Sequence, residues 1–322
     1  MSQKMLVFGD IGIDDTAALI YGHFDDAIDI VGIVANYGNI PREKALANIH
    51  YIRDLFDISP SVKVIAGAEI PMTGENPQFF PEIHGEYGLG PIIPPHAEDG
   101  SVKENFLEVA EIIKQYGDEL IIVNIGRLTS LATMFILYQT EMSNVKGYYI
   151  MGGAFWTPGN VTAVAEANFY GDPLAAHIVL KYAHNTTIVP LNVTRKAIAT
   201  PQMVNYINQA GKAKILKPLL DYYYAFYKQR NPAISGSPLH DVVTLMAVVY
   251  ENMFVFERFP IQIDQKLDSL ARGQSIIDIR QSNNRIRSNQ ENHHRIAFDL
   301  DYQQFYTRFM SIMTGQQTGW MA

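Results

Sequence analysis

The chain has 322 residues, of which 48% are hydrophobic and 18% charged, a globular mix far from the charge-rich, apolar-poor signature of disorder. Its formal net charge of −8 gives no overall positive field to draw nucleic acid, and suits a cation instead. It contains no cysteine, which excludes disulfides, thiolate metal sites and a cysteine nucleophile. No stretch approaches about 18 uninterrupted apolar residues, so no membrane helix is expected. The segment Met1–Asp15 turns acidic after one short apolar run, without a signal-peptide pattern. A cytoplasmic enzyme is the simplest reading; a Cys-free secreted protein also fits.

Apolar runs of strand length alternate with longer amphipathic stretches. Met5–Gly9 reads as a strand ending at Asp10, and Asp15–Tyr21 as the start of a helix. Ile28–Ala35 is a second strand and Pro41–Phe56 a second helix, with Val62–Ala66 a third strand. Leu120–Ile125, Gly147–Met151 and Thr187–Val193 are three more strands; Leu128–Tyr138 and Pro173–Ala183 are helices between them. The runs are continuous rather than alternating, which marks strands covered on both faces, as in a parallel sheet wrapped by helices. Ile70–Asp99, rich in Pro, Gly, Glu and His, is too long for an idle loop and predicts a functional or mobile segment. Gln281–His294, rich in Asn, Gln, Arg and Ser, predicts an exposed loop. No repeat and no linker splits the chain, so residues 1–322 are expected to form one domain.

The most informative stretch is Gly9-Asp10-Ile11-Gly12-Ile13-Asp14-Asp15. Three carboxylates fall within six residues at the carboxyl end of a strand, where open parallel sheets bind ligands. They repel one another unless a cation compensates them, and hard oxygen ligands suit calcium or magnesium. Gly12 supplies the tight turn that aims them at one point. Asp14 and Asp15 could instead cap the next helix, but that leaves Asp10, on the strand side, without a role. Far away, His240-Asp241 opens an apolar helix; if this loop meets the first, Asp241 adds a carboxylate and His240 a proton donor with a pKa in the useful range. After the fifth strand, Gly152 and Gly153 let backbone approach a ligand, and Asn160, Glu166 and Asn168 suit vicinal hydroxyls, as on a sugar.

In order along the chain, these stretches resemble the nucleoside hydrolase family, the inosine–uridine-preferring nucleoside N-ribohydrolases. The family's DxDxGxDD loop stands here as Phe8-Gly9-Asp10-Ile11-Gly12-Ile13-Asp14-Asp15. Gly38-Asn39 follows the second strand, and His84-Gly85-Glu86-Tyr87-Gly88-Leu89-Gly90 looks like the HGxxGLG flap. Gly126-Arg127-Leu128-Thr129-Ser130-Leu131-Ala132 looks like the GPLTNLA turn. The Gly152–Asn168 stretch, Asp172-Pro173, Leu239-His240-Asp241 and Arg272-Gly273-Gln274 keep their places.

The resemblance implies a single α/β domain, Rossmann-like, with a mostly parallel central sheet flanked by helices. It implies calcium held by Asp10, Asp15, Asp241 and the backbone carbonyl of Ile125, and ribose held by Asp14, Asn39, Asn160, Glu166 and Asn168. His240 becomes the proton donor to the leaving base, with His84 in the flap a second candidate beside it. The implied reaction is hydrolysis of a ribonucleoside to ribose and free base, through an oxocarbenium-like ribosyl cation. Its nucleophile is a calcium-bound water whose proton goes to Asp10. The family further implies a homodimer or homotetramer and no nucleic-acid partner. A helix carries Tyr222, Tyr223, Tyr224, Phe226 and Tyr227, one of which is a candidate for the nucleobase; Trp156 either stacks on a base or packs against the fold.

Three residues depart from the family pattern: Phe8 for Asp, Ile11 for Pro and Arg127 for Pro or Gly. Two other classes compete. An aspartyl phosphotransferase needs an aspartate at Phe8, and lacks it. A non-catalytic nucleoside- or ribose-binding protein is supported by Phe8 alone, against Asp10, Asp15, Asp241 and His240.

Overall fold

The computed structural model describes residues 2–95, 102–279 and 292–316. Its centre is an eight-stranded sheet: β1 (Gln3–Gly9), β2 (Ile28–Ala35), β3 (Lys63–Ala66), β4 (Leu120–Asn124), β5 (Gly147–Met151), β6 (Thr186–Val189), β7 (Phe254–Pro260) and β8 (His293–Leu300). The spatial order is β3-β2-β1-β4-β5-β6-β8-β7. All neighbours pair in parallel except β8 with β7, which closes one edge in antiparallel register.

The helices in chain order are α1 (Ile13–Phe24), α2 (Arg42–Leu55), α3 (Pro81–His84), α4 (Phe106–Tyr116), α5 (Thr129–Leu137), α6 (Gln139–Met142) and α7 (Ala167–Gly171). They continue with α8 (Pro173–Tyr182), α9 (Leu191–Thr194), α10 (Pro201–Ala210), α11 (Leu216–Arg230), α12 (His240–Val249) and α13 (Tyr302–Thr314). The continuous apolar strands are covered on both faces. Met5 and Val7 pack into a core with α1, α2 and α12, whereas Leu6 and Phe8 pack into a second core with α4, α5 and α8. Phe8 is therefore a packing residue of the second core. Among the described residues no helix is long and apolar enough to cross a membrane.

Two strand and loop expectations need correction. The sixth strand stops at Val189, because Pro190 has no N–H to continue a ladder; Leu191–Thr194 turns into α9 instead. In the stretch expected as a loop through His294, residues 281–291 lie outside the described residues, but His293 and His294 open β8. The long segment from Ile70 is irregular except for α3; its residues 96–99 lie outside the described set.

Candidate active site

β1 sits where the chain reverses its direction of travel across the sheet: β2 and β3 lie to one side, β4 and β5 to the other. At such a switch point the loops leaving neighbouring strands part and open a crevice. Asp10 leaves β1 and Ile125 leaves β4 at this crevice, the Asn36–Asn39 turn leaves β2, and α1 begins beside them at Ile13.

Asp10, Asp14, Asp15 and Asp241 are all buried here. Asp15 accepts the backbone N–H of Asp10 at 3.2 Å and of Gly12 at 3.0 Å, so it caps α1 as well as facing the crevice. Asp10 accepts the Asn39 N–H at 2.6 Å, and the Asn39 amide bridges to Asp10 at 3.3 Å and Asp15 at 3.1 Å. Gly38 is needed for this contact, because a Cβ there would overlap the Asp10 carboxylate. Gly12 is needed for space rather than for a special turn. Its φ is −88°, open to any residue, but a Cβ would collide with His84 Nδ1 and Asn39 Nδ2.

The acids crowd without neutralising one another. Carboxylate oxygens of Asp14, Asp15 and Asp241 lie within 4.8 Å of one another. Asp14 accepts from Tyr223 Oη at 3.2 Å through Oδ2, while its buried Oδ1 has no hydrogen-bond partner. Burial, then repulsion from Asp10, pushes the Asp14 carboxyl up to about 7. Burial and the neighbouring acids push Asp15 and Asp241 well above the ordinary range. Asp10 is also raised by burial, opposed first by the positive charge of Arg127. Buried like charges that lack counter-ions are what a bound divalent cation would relieve, and an all-oxygen donor set suits a hard one. The residues present therefore fit a metal. The converging trio contains Asp14 where the expected set has Asp10, whose oxygens Asn39 holds.

The two histidines face each other across the cavity. His84 Nδ1 accepts the Ile13 N–H at 3.1 Å and stands 3.8 Å from Asp14 Oδ1. His240 Nδ1 is 2.8 Å from Thr194 Oγ1, and its buried Nε2 has no partner. Burial first, and then a neighbouring group, His240 for His84 and Arg195 for His240, pull both imidazoles down to about 3. Both rings are thus neutral at physiological pH. The expected useful titration of His240 is corrected by its burial.

On the sugar side, expectation and geometry meet with a twist. Asn160, Glu166 and Asn168 line the same cavity as Asp14, Asn39, Ile125, His240 and Asp241. Glu166 also accepts N–H groups from Gly153 (3.0 Å), Asn168 (2.8 Å) and Phe169 (3.1 Å), capping α7. The Gly153 N–H therefore goes to the protein. Burial nevertheless raises Glu166 to about 7. Asn160 caps Ala167 N at 2.9 Å, and Asn168 donates to the Ile125 carbonyl at 3.0 Å. These side chains are fixed by the backbone before any ligand arrives.

The cavity holds about 90 Å³, and its far wall is aromatic: Phe80, Tyr223, Phe226 and Tyr227, with Arg230 at its edge. Of the five aromatics on α11, Tyr223, Phe226 and Tyr227 reach the cavity. Trp156 does not; it stacks on Phe298 at 5.5 Å and 12°, and edge-on to Phe259. Thr194, Arg195, Phe80 and Ile83 were not legible as site residues. Thr194 directly follows the run read as a strand, with nothing in the sequence to mark it. A larger cavity of about 230 Å³ lies near the other end of α1, lined mostly by Ile, Leu and Val. Volume alone would choose it, but no carboxylates converge there.

The comparisons agree with this geometry. Residues 5–307 match the sequence model of the family described as inosine-uridine preferring nucleoside hydrolase. The chain is 29% identical over 278 residues to uridine nucleosidase 1 of Arabidopsis thaliana, covering 86% of this chain and 82% of that protein. It is 28% identical over 311 residues to an inosine-uridine preferring nucleoside hydrolase of Crithidia fasciculata, covering 95% and 96%. Its structure is similar to that of a purine-preferring ribonucleoside hydrolase from Gardnerella vaginalis, with a TM-score of 0.85, 26% identity and coverage of 97% and 98%. A plant nucleoside hydrolase shares the fold with a TM-score of 0.89 at 22% identity, covering 98% of this chain and 100% of that one. With the acidic crevice at the switch point and the match over nearly the whole length, the chain belongs to the inosine-uridine preferring nucleoside hydrolase family.

Proposed function

We propose that this enzyme cleaves ribonucleosides to ribose and free base with calcium bound among Asp10, Asp15, Asp241 and the Ile125 carbonyl. One observation carries the reading: buried carboxylates converge without a counter-ion, beside an unpartnered Asp14 Oδ1, on the floor of an aromatic-walled cavity. When bound, calcium makes a water molecule easier to deprotonate and orders the sugar hydroxyls. Asp10, held by Asn39, takes the water's proton. Asp14, Asn39, Asn160, Glu166 and Asn168 hold the ribose, and the negative charge of this set favours the developing ribosyl cation.

His240 acts as a neutral donor. With the Thr194 hydroxyl donating to Nδ1, the proton sits on Nε2, the nitrogen that has no protein partner. That N–H stabilises the negative charge that develops on the departing base. His84 closes the site from the flap side, its ring packed at 5.5 Å against that of Tyr223 on α11, so that the two form one wall for the base.

The test is ribose release from uridine, cytidine, inosine and adenosine, with calcium and after chelation. Calcium-dependent release supports the reading. Undiminished release from protein freed of metal refutes the metal's role. Turnover of 2′-deoxyuridine equal to that of uridine would contradict recognition of the sugar through its hydroxyls.

A further inference from the structure

The flap residues reach the cavity by way of an irregular strap, residues 71–80, that carries few backbone hydrogen bonds of its own. It runs from the third strand to α3, and ends by delivering Phe80, Ile83 and His84 to the cavity wall. A strap of this kind should be soft, because ordered backbone costs about 1–2 kcal/mol per residue unless contacts offset it. Its order must come from side chains at its borders.

Two arginines from different parts of the chain supply those contacts. Arg272 grips Glu75 with both terminal nitrogens, Nη1 to Oε1 at 2.8 Å and Nη2 to Oε2 at 2.8 Å. This is the fork-to-fork geometry in which a guanidinium fixes direction as well as distance. The same Arg272 donates from Nε to the Tyr170 carbonyl at 3.2 Å and lies over the Tyr170 ring at 5.0 Å, which anchors it to α7. Thr73 adds a hydrogen bond to Glu75 at 2.8 Å. Closer to the site, the buried Arg127 donates to the Gln78 carbonyl and lies over the Tyr37 ring at 4.9 Å. Beyond it, Phe80 N–H reaches the Asn39 carbonyl at 2.9 Å, and His84 takes up its contact with Ile13.

We propose that Glu75, Arg272 and Arg127 are positioning residues for the nucleoside site: they clamp the strap from two sides and thereby set where Phe80, Ile83 and His84 stand. None of the three lines the cavity at the carboxylates. Glu75 and Arg272 act on substrate through the strap; Arg127 does so as well, besides the charge it places near Asp10. The flap is consequently held in place before a nucleoside enters, and releasing the clamp weakens binding more than it slows the chemical step. The proposal rests on the functional reading above, because it takes the cavity to be the nucleoside site.

The experiment compares Arg272→Ala and Glu75→Gln with the unaltered enzyme on uridine and inosine, in saturating calcium. KM should rise about tenfold in each, with kcat changed less than about twofold, the pattern of lost binding common to ground and transition states. Combining Arg272→Ala with Glu75→Gln should add little, since one contact is removed twice. Arg272→Lys, which keeps the charge and loses the fork, should fall between. In a His84→Ala background, Arg272→Ala should add less than about twofold, because the side chain it positions is gone. Unchanged KM in both single variants overturns the proposal. So does a full Arg272→Ala effect in the His84→Ala background, which would mean the arginine acts by another route.

Hydrogen exchange separates the clamp from a general loss of stability and from the functional reading. In Arg272→Ala the amides of Met72 and Phe80 should exchange faster, while those of α1 and β1 keep their rates. Faster exchange throughout the chain would make Arg272 a stabilising residue and nothing more. If the unaltered protein releases ribose from no nucleoside, the functional reading falls; the exchange pattern still decides whether the clamp holds the strap.

Discussion

The two ends of α1 each bury carboxylate, and they treat it in opposite ways. At the carboxyl end, buried Asp25 accepts hydrogen bonds from Tyr21 Oη at 2.7 Å, Tyr250 Oη at 2.9 and 3.0 Å, and Ala27 N at 3.0 Å. At the amino end, Asp14 leaves one buried oxygen unpartnered, and carboxylate oxygens of Asp14, Asp15 and Asp241 lie within 4.8 Å of one another. Burying a charge is costly unless partners compensate it. Asp25 has its partners within the fold, so it serves stability. At the other end Asp15 has its donors, but one Asp14 oxygen has none and like charges crowd together, so the cluster destabilises the ligand-free fold and is available to a cation. Buried charge alone does not mark a site; buried charge left unbalanced does.

Replacing one acid at each end should break this symmetry most visibly. Asp241→Asn is expected to lower calcium affinity roughly a hundredfold or more, since even groups behind a ligand contribute about 10–100-fold, and to reduce kcat by orders of magnitude. In chelator, however, the same variant should melt higher than the parent, because a repelling buried charge is gone. Asp25→Asn should do the reverse, melting lower with turnover retained. Thermal melts in chelator decide it: an Asp241→Asn protein that melts lower than its parent would mean the site is balanced without metal.

The pH dependence of stability sharpens the same contrast. Asp14 and Glu166 are held up to about 7 by burial, whereas in the unfolded chain they ionise near 4. Between those values the native state keeps protons that the unfolded state releases. Stability of the metal-free protein therefore falls as pH rises from about 4 to about 7, opposite in sign to an ordinary ion-paired aspartate. The loss should amount to several kcal/mol, because a tenfold change in proton affinity is worth about 1.4 kcal/mol and two carboxyls are each raised by two to three such steps. Calcium should flatten the curve by favouring the ionised carboxylates. Urea midpoints at pH 5 and pH 8 in chelator test this, and a higher midpoint at pH 8 would count against the unbalanced site.

How much of this was legible depends on what each residue answers to. β1 to β5 were readable because strands buried on both faces must be apolar throughout, and Asp, Asn or Gly ends them. β7 forms the far edge beside β8, and with only Phe254 buried along it, it gives no continuous apolar run. The acids of the N-terminal loop were readable because three charges in six residues need an explanation. Thr194 was not, since its meaning comes only from standing 2.8 Å from His240, 46 residues away. The fixed roles of Asn160 and Glu166 as caps were equally invisible, because a polar side chain in a loop looks the same whether it faces ligand or backbone. Arg127 could be flagged as a departure, but its ties to Gln78 and Tyr37 needed the fold.

Thr194 carries a smaller expected effect. Thr194→Val removes the only hydrogen-bond partner of the His240 ring in the described structure and lets it rotate, which should lower kcat about tenfold, in the range of one positioned donor or less. Because burial, with the Arg195 charge nearby, keeps His240 protonated only below about 3, no imidazolium is lost between pH 6 and 8. kcat should therefore show no histidine limb there. A fall in kcat with a midpoint near 6.5 would restore His240 as a standing acid and remove the neutral-donor assignment.

The smallest effect belongs to the other end of α1. Tyr250→Phe deletes the hydroxyl that spans both oxygens of Asp25, while Tyr21 and Ala27 still serve that carboxylate. Tyr250 is only half-buried, so water can replace part of what is lost. About 1 kcal/mol of stability should go, the usual net worth of one such bond. Turnover and calcium affinity should stay within twofold, because α1 is a continuous twelve-residue helix whose first turn is fixed independently by Gly12, Asn39 and Tyr223. If Tyr250→Phe instead weakened calcium binding, the two ends would be coupled along the helix. Asp25 would then help hold the acids in place, and its complete set of partners would belong to the site as well as to the fold.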